Sequence, residues 1–116
     1  KASLKVISDP WNGSSRNFTT TNKAIKTPDD LKGLKIRVPK VPHFMDMIKA
    51  CGGIPSPMAF AEVYMALQTG VVDGQENPIT TINAGKFQEV QKHISMTGHI
   101  TTAFLVLSNS KKFQFC

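Results

Sequence analysis

The stretch LKIRVPKVPHFMDMIKACGG, residues 34–53, carries the signals of a strand, a helix and a turn in succession. Apolar and basic residues alternate at its start, which predicts a β-strand with Leu34, Ile36 and Val38 on one face. Pro39 ends this strand because proline cannot donate to the sheet ladder. The apolar residues that follow recur at helical spacing, and a Gly-Gly pair then gives a helix stop signal. The stretch therefore predicts one strand-helix unit of an α/β sheet.

The same alternation continues on both sides of this unit. The clearest helix is MAFAEVYMALQTG, residues 58–70, whose apolar residues recur at i, i+3, i+4 and i+7 before a glycine. The other segments are predicted as a strand over 3–8, a turn-rich loop over 9–17, a helical turn over 27–33, a brief strand and turn over 71–78, a weaker helix over 79–93 and a buried strand over 100–109. Strands that alternate with helices predict one α/β domain with a largely parallel sheet.

The composition is that of a single globular domain. Of the 116 residues, 41% are apolar and 19% are charged, and every apolar run is far shorter than the ~20 residues of a membrane-spanning helix. The net charge of +6 favours anionic ligands. Because the lysines are scattered and not clustered with aromatic residues, we predict no nucleic-acid partner. The chain begins with neither Met nor a basic and then apolar leader, so either a signal peptide has been removed or the chain starts inside a longer protein, and we expect the second.

Metal and cofactor signals are weak in this sequence. Cys51 and Cys116 lie far apart without a CxxC pair, and the three histidines are not at metal-ligand spacing. Asp73, Glu76 and Asn77 could supply oxygen ligands to a hard cation, but a calcium loop needs several more oxygens at regular spacing. Cys51 fits a core position on its helix, and a bridge to Cys116 needs a geometry that spacing alone does not supply. We therefore predict neither a cofactor nor a metal.

Catalytic motifs are also absent. The sequence contains no GxSxG elbow, no Cys–His arrangement, no P-loop and no GxGxxG pattern. A hydrolase or lyase would have to use Asp73 and Glu76, which have no evident catalytic partner in the sequence. The simpler interpretation is that Asp73 starts a turn at Gly74 and that Glu76 is solvated or paired with a nearby base. We predict that the chain is not an enzyme.

Two polar residues lie where predicted strands end, which is where open α/β sheets bind ligands. Arg37 lies near the end of one strand and Asn77 just past the end of another. The planar guanidinium can bind a carboxylate through charge-assisted hydrogen bonds worth roughly 1.5–3 kcal/mol, and the amide adds a neutral donor. We therefore predict a small carboxylic acid as the ligand. The alternative is that Arg37 belongs to the polar face of an exposed strand.

Several stretches carry a family resemblance. TPDDLKGLKIRVP, PSPMAFAEVYMALQTGVVDGQENP and KFQEVQKHISMTGHI resemble consecutive segments of the DctP-type substrate-binding proteins of tripartite ATP-independent periplasmic (TRAP) transporters. The resemblance runs from about Asn12 to Asn109 with order and spacing kept. Members of this family are longer, two-lobed α/β proteins that close on an organic acid. The resemblance therefore implies that residues 1–116 form a single lobe, chiefly the second, with a mostly parallel sheet flanked by helices.

The resemblance also implies site residues. In the family, the arginine of the KIRVP segment holds the substrate carboxylate, and Arg37 matches it. Asn77 of QENP and Phe60 of PMAFAEVY match cleft positions, as a polar donor and an apolar wall. Phe60 has a second interpretation as a core residue, because it begins the apolar stripe of its helix. Arg16, in a GSSRNFTTT context that departs from the family pattern, matches a loop arginine that contacts ligand in some members.

The resemblance implies a location and partners as well. As the solute-binding component of a TRAP transporter, the chain would lie in the periplasm and capture a small organic acid. It would pass the acid to TRAP membrane subunits, which use an ion gradient. An alternative of a different class is a single-lobe sensor or interaction domain without transport activity. Because a lone lobe leaves apolar cleft surface exposed, self-association of the chain is a further expectation.

Overall fold

The computed structural model describes residues 3–112, which form a mixed α/β arrangement. The strands are β1 (Leu4–Val6), β2 (Trp11–Thr20), β3 (Lys35–Val38), β4 (Ile54–Pro57), β5 (Gly74–Pro78), β6 (His93–Phe104) and β7 (Leu107–Asn109). The helices are α1 (Pro42–Ala50), α2 (Val63–Gln68) and α3 (Ile79–Ala84), with short 3-10 helices at Pro28–Leu31, Phe60–Glu62 and Phe87–Glu89. Over the described residues, no helix has the length and apolarity needed to cross a membrane.

Five of the strands form one sheet in the order β4-β3-β5-β2-β6. Strand β3 is parallel to both β4 and β5, because helical crossovers return the chain to the same end of the sheet. Strand β2 is antiparallel to β5, with Asn17 opposite Asn77 and Thr19 opposite Gln75. The predicted α/β fold, a sheet flanked by helices, is confirmed. The sheet is mixed because β2 enters it beside β5 in the antiparallel direction.

The larger compact unit, Ser15–Ile100, packs its apolar residues into two clusters. Ile36 and Val38 of β3 are completely buried in the first cluster, together with Ile48 of α1. The second cluster joins α2 to α3 and to the 3-10 helix that contains Phe87. The buried members of the first cluster are Phe18, Ile25, Leu31, Ile36, Val38, Phe44 and Ile48, and those of the second are Val63, Ala66, Leu67, Val72, Ile82 and Phe87.

The smaller compact unit consists of residues 3–14 and 101–112 of the described chain. In it, β1 and β7 form a two-stranded antiparallel ladder. The prediction of a buried strand over 100–109 is wrong, because the strand is interrupted between β6 and β7 and its large apolar side chains are exposed. Large apolar side chains are exposed in this unit: Leu4, Val6, Ile7, Trp11, Phe104, Leu105, Val106 and Leu107.

Local predictions differ from the structure at four other places, one of which is Asn77, because it lies inside β5 and not past the end of a strand. The predicted loop over 9–17 is wrong, because from Trp11 onward its turn-forming residues belong to β2, which lies between β5 and β6. The predicted helix over 58–70 begins with a 3-10 turn and becomes α-helical only in α2. The predicted helix over 79–93 ends at Ala84, and Lys86 then adopts a left-handed backbone with φ of 56°.

Candidate functional site

Strand β3 places Arg37 in the interior of the sheet, between β4 and β5. Only 4% of the residue is exposed, so the alternative of an exposed polar face is wrong. The Nε and Nη2 atoms donate hydrogen bonds to the Met58 carbonyl at 3.2 and 2.9 Å. Burial lowers the pKa of the Arg37 guanidinium, an effect that the Glu76 carboxylate opposes and Arg16 reinforces. The guanidinium stays charged because the ordinary pKa of arginine is far above neutral pH.

One nitrogen of the Arg37 side chain is left for a ligand. Among the described residues, both hydrogen bonds of the guanidinium go to Met58. Every fully buried side-chain nitrogen or oxygen in this part of the chain has a partner. The Nη1 group is therefore within reach of solvent. An anion that binds Nη1 meets a guanidinium already held in place, so little side-chain entropy is lost on binding.

Phe60 forms an aromatic wall beside this arginine. Its ring centroid lies 6.0 Å from Arg37 Cζ, within the range of a cation–π contact. The ring also lies 5.6 Å from the ring of Phe87. Phe60 is 46% exposed whereas Phe87 is 1% exposed. This exposure contradicts the interpretation of Phe60 as a core residue, whereas Phe87 beside it belongs to the core.

Arg16, on β2, is held by a buried carboxylate. Its Nη2 donates to Glu76 Oε1 at 2.7 Å, and its Nε pairs with the other carboxylate oxygen. Glu76 is completely buried, and its Oε2 also lies 3.3 Å from His99 Nε2. The His99 ring stacks on Phe18 with centroids 4.2 Å apart. Of the two interpretations of Glu76, the structure has the pairing with a base, because strand β5 turns this side chain into the interior.

Asn77 joins the arginine of β2 to the interior of the sheet. Its Oδ1 accepts a hydrogen bond from Arg16 Nη2 at 3.2 Å, and its Nδ2 donates to Gln75 Oε1 at 2.6 Å. The residue is 5% exposed. One hydrogen of Nδ2 is used by Gln75, which leaves the second hydrogen as the group that Asn77 can offer to a ligand.

The sheet register places the four predicted site residues in two contacting pairs on or beside the neighbouring strands β3 and β5. Arg37 pairs laterally with Gln75, and Asn77 follows two residues later on the same face of β5. Phe60 contacts Arg37, and Arg16 contacts Asn77. Sequence reasoning did not identify Gln75, His99 or the pairing of Glu76 with Arg16. The available signal was the run of three polar residues, 75–77, in a strand beside the buried β3.

The two carboxylates of the enzyme alternative have separate roles in the structure. Asp73 Oδ2 accepts a hydrogen bond from the Lys35 backbone N–H at 2.8 Å, so Asp73 holds the start of β3. Glu76 is occupied by its arginine pair. Over residues 3–112, no three His, Cys, Asp or Glu side chains lie where they could hold a metal ion. Cys51 is a half-buried free thiol, and Cys116 lies outside the described residues.

Comparison with characterised sequences identifies relatives along nearly the whole chain. The family model of bacterial extracellular solute-binding proteins, family 7 (DctP), matches residues 1–115. The sialic acid-binding periplasmic protein SiaP of Vibrio cholerae is 45% identical over 106 residues, which are 91% of this chain and 33% of that protein. The 2,3-diketo-L-gulonate-binding periplasmic protein YiaO of Escherichia coli is 44% identical over 111 residues, which are 96% of this chain and 34% of that protein. The chain therefore spans about a third of the length of these relatives.

Solved structures share the fold. A TRAP periplasmic solute-binding protein from Sulfitobacter sp. NAS-14.1 with bound β-D-galacturonate superimposes with a TM-score of 0.84 at 35% identity, over 98% of this chain and 38% of that one. Another, from Ochrobactrum anthropi, superimposes with a TM-score of 0.91 at 34% identity, over 98% of this chain and 35% of that one. Because the family model covers residues 1–115 and the fold agrees, the chain belongs to the DctP family of bacterial extracellular solute-binding proteins.

Proposed function

We propose that this chain is the arginine-bearing lobe of an extracytoplasmic solute-binding protein, and that Arg37 binds the carboxylate of a small organic acid. The observation that carries the proposal is that the Arg37 guanidinium is fixed in position and still has one accessible nitrogen. Its guanidinium is buried and held by Met58, while Nη1 stays within reach of solvent beside the exposed ring of Phe60. A fixed cation next to an apolar wall suits a small molecule with one carboxylate and a carbon skeleton.

The ligands of related proteins support an acid. Solved relatives contain β-D-galacturonate in the Sulfitobacter protein, D-glucuronate in the Chromohalobacter salexigens protein and succinate in the Sulfurospirillum deleyianum protein. These molecules differ in size and hydroxylation but all carry a carboxylate. A cation suits a carboxylate shared by these ligands, and Arg37 is the buried arginine whose guanidinium has a nitrogen to offer.

The other predicted residues take complementary roles in this proposal. Asn77 donates the second hydrogen of its amide to a carboxylate, hydroxyl or keto oxygen. Phe60 packs against the carbon skeleton of the acid. Arg16 is largely neutralised by Glu76, so it adds hydrogen-bond donors and shape more than net charge. No residue in this scheme performs a covalent step, in keeping with a family of solute-binding proteins.

The names of the relatives support a proposed location. SiaP and YiaO are named as periplasmic binding proteins, so we place this chain in the periplasm. In that location it would deliver its acid to TRAP membrane subunits driven by an ion gradient. The other candidate, a single-lobe sensor or interaction domain, shares the binding step but does not deliver the acid to a transporter.

Thermal unfolding in the presence of small acids tests the binding step. A ligand that binds only the folded state raises the melting temperature by mass action. We expect galacturonate, glucuronate or succinate at millimolar concentration to stabilise the wild type and to leave Arg37→Ala unchanged. The control is Lys49→Ala, which removes a positive charge from the exposed face of α1 and keeps the ligand response. A response that survives in Arg37→Ala would contradict the assignment of Arg37, and no response to any acid would contradict binding by this chain.

A further inference from the structure

A chain of buried side-chain hydrogen bonds leads from Asn77 into the sheet. Gln75 Nε2 donates to Thr19 Oγ1 at 2.8 Å, and Thr19 Oγ1 donates to Gln91 Oε1 at 3.0 Å. Gln91 Nε2 in turn donates to Thr21 Oγ1 at 2.9 Å. In order, the hydrogen-bond chain runs through Arg16, Asn77, Gln75, Thr19, Gln91, Thr21 and the Asp73 carbonyl.

The groups at the two ends of this hydrogen-bond chain fix its donor-to-acceptor direction. The Arg16 guanidinium can only donate, so Asn77 must turn its Oδ1 toward it and its Nδ2 toward Gln75. Gln75 must then accept through Oε1 and donate through Nε2. At the far end, the Asp73 carbonyl can only accept, so the Thr21 hydroxyl donates to it. Because one end can only donate and the other end can only accept, every side-chain amide between them accepts on its Arg16 side and donates on its Asp73 side.

Because the side chains of this hydrogen-bond chain are buried, reversing its donor-to-acceptor direction costs free energy. Gln75 is 0%, Thr19 2% and Gln91 8% exposed, so water cannot replace a lost partner at these side chains. A buried donor or acceptor without a partner costs roughly 1–3 kcal/mol. A rotated Asn77 amide would place its NH2 group against the Arg16 guanidinium and its oxygen against Gln75 Oε1. Both contacts would lose their hydrogen bonds.

We propose that Gln75, Thr19 and Gln91 are positioning residues that hold the Asn77 amide in one orientation toward the ligand. The ligand part of this inference rests on the proposed function, because it takes Asn77 as a ligand contact. In the fixed orientation, Oδ1 is engaged by Arg16 and only an Nδ2 hydrogen is offered. Asn77 and Arg37 then both donate, so the site selects ligand oxygens that accept hydrogen bonds and disfavours ligand N–H groups.

A ligand-free experiment tests the positioning itself. Thr19→Val keeps the side-chain volume and removes the hydroxyl that links Gln75 to Gln91, whereas Thr19→Ser keeps the hydroxyl. We expect the Asn77 side-chain amide protons, observed by nitrogen-15 NMR and assigned through Asn77→Asp, to exchange with solvent about tenfold faster in Thr19→Val than in the wild type. Thr19→Ser should restore slow exchange, and Thr80→Val, on the exposed side of α3, should leave it unchanged. Equal Asn77 exchange in Thr19→Val and wild type, in folded samples, would overturn the proposal.

A binding experiment tests the consequence for recognition. With D-galacturonate as the probe, Thr19→Val should weaken binding several-fold, and the double variant with Asn77→Ala should bind no more weakly than Asn77→Ala alone. Additive losses would show that Thr19 does not act through Asn77 and would overturn the link to the ligand. If the wild type does not bind galacturonate or any other acid, the proposed function fails, while the exchange rates still decide whether the hydrogen-bond chain positions Asn77.

Discussion

At the scale of single residues, the buried carboxylate of Glu76 determines whether Arg16 can occupy the interior. Glu76 is completely buried, and the Arg16 side chain is 12% exposed. Removing one member of such a pair leaves the other charge buried without compensation, so we expect Glu76→Gln to lower the free energy of unfolding by about 3 kcal/mol. Urea denaturation measures this change. The matched control is Glu62→Gln on the exposed 3-10 helix, and an equal effect of the two substitutions would contradict the pairing argument.

At the scale of elements, the 3-10 helix Pro28–Leu31 begins with a carboxylate cap. Asp30 Oδ2 accepts hydrogen bonds from the backbone N–H groups of Lys26 and Thr27 at 2.8 and 2.9 Å, and these bonds lower the pKa of Asp30. A carboxyl whose pKa is lower in the folded state stabilises the fold above its unfolded pKa, and this contribution is lost as pH falls through the folded pKa. We therefore expect the melting temperature of the wild type to fall more steeply than that of Asp30→Asn below about pH 4.

The neighbouring residue Asp29 supplies the control for this pH dependence. Its side chain is 81% exposed and its carboxylate pairs with Lys32 Nζ at 3.3 Å, so Asp29→Asn makes the same change of charge without removing the cap. We expect Asp29→Asn to keep the pH slope of the wild type. Parallel pH curves for the wild type and Asp30→Asn would contradict a role of Asp30 as the capping group.

At the scale of the whole molecule, the smaller unit exposes eight large apolar side chains among its described residues, and such exposed apolar surface favours association. Trp11 is 49%, Val6 53% and Leu107 50% exposed. We expect the chain to self-associate through this surface, which sedimentation equilibrium measures. Because Trp11 is the single tryptophan, its fluorescence should shift to shorter wavelength as concentration rises. Leu107→Ser should weaken association and Met65→Ser, 57% exposed in the larger unit, should not. A concentration-independent monomer mass would contradict the prediction.

The amino-acid sequence alone is enough to predict the strand-helix unit over 34–53, the α/β class and the family. It also singled out Arg37 and Asn77, because these features depend on local periodicity and on motifs a few residues long. The fold as a whole was needed to show that the turn-rich segment around Arg16 is a strand. It was also needed to show that Glu76 is buried against Arg16, 60 positions away in sequence. The physical reason is that strand pairing and burial depend on contacts between distant segments, which overrule the turn propensity of Asn, Gly and Ser and the usual exposure of Glu.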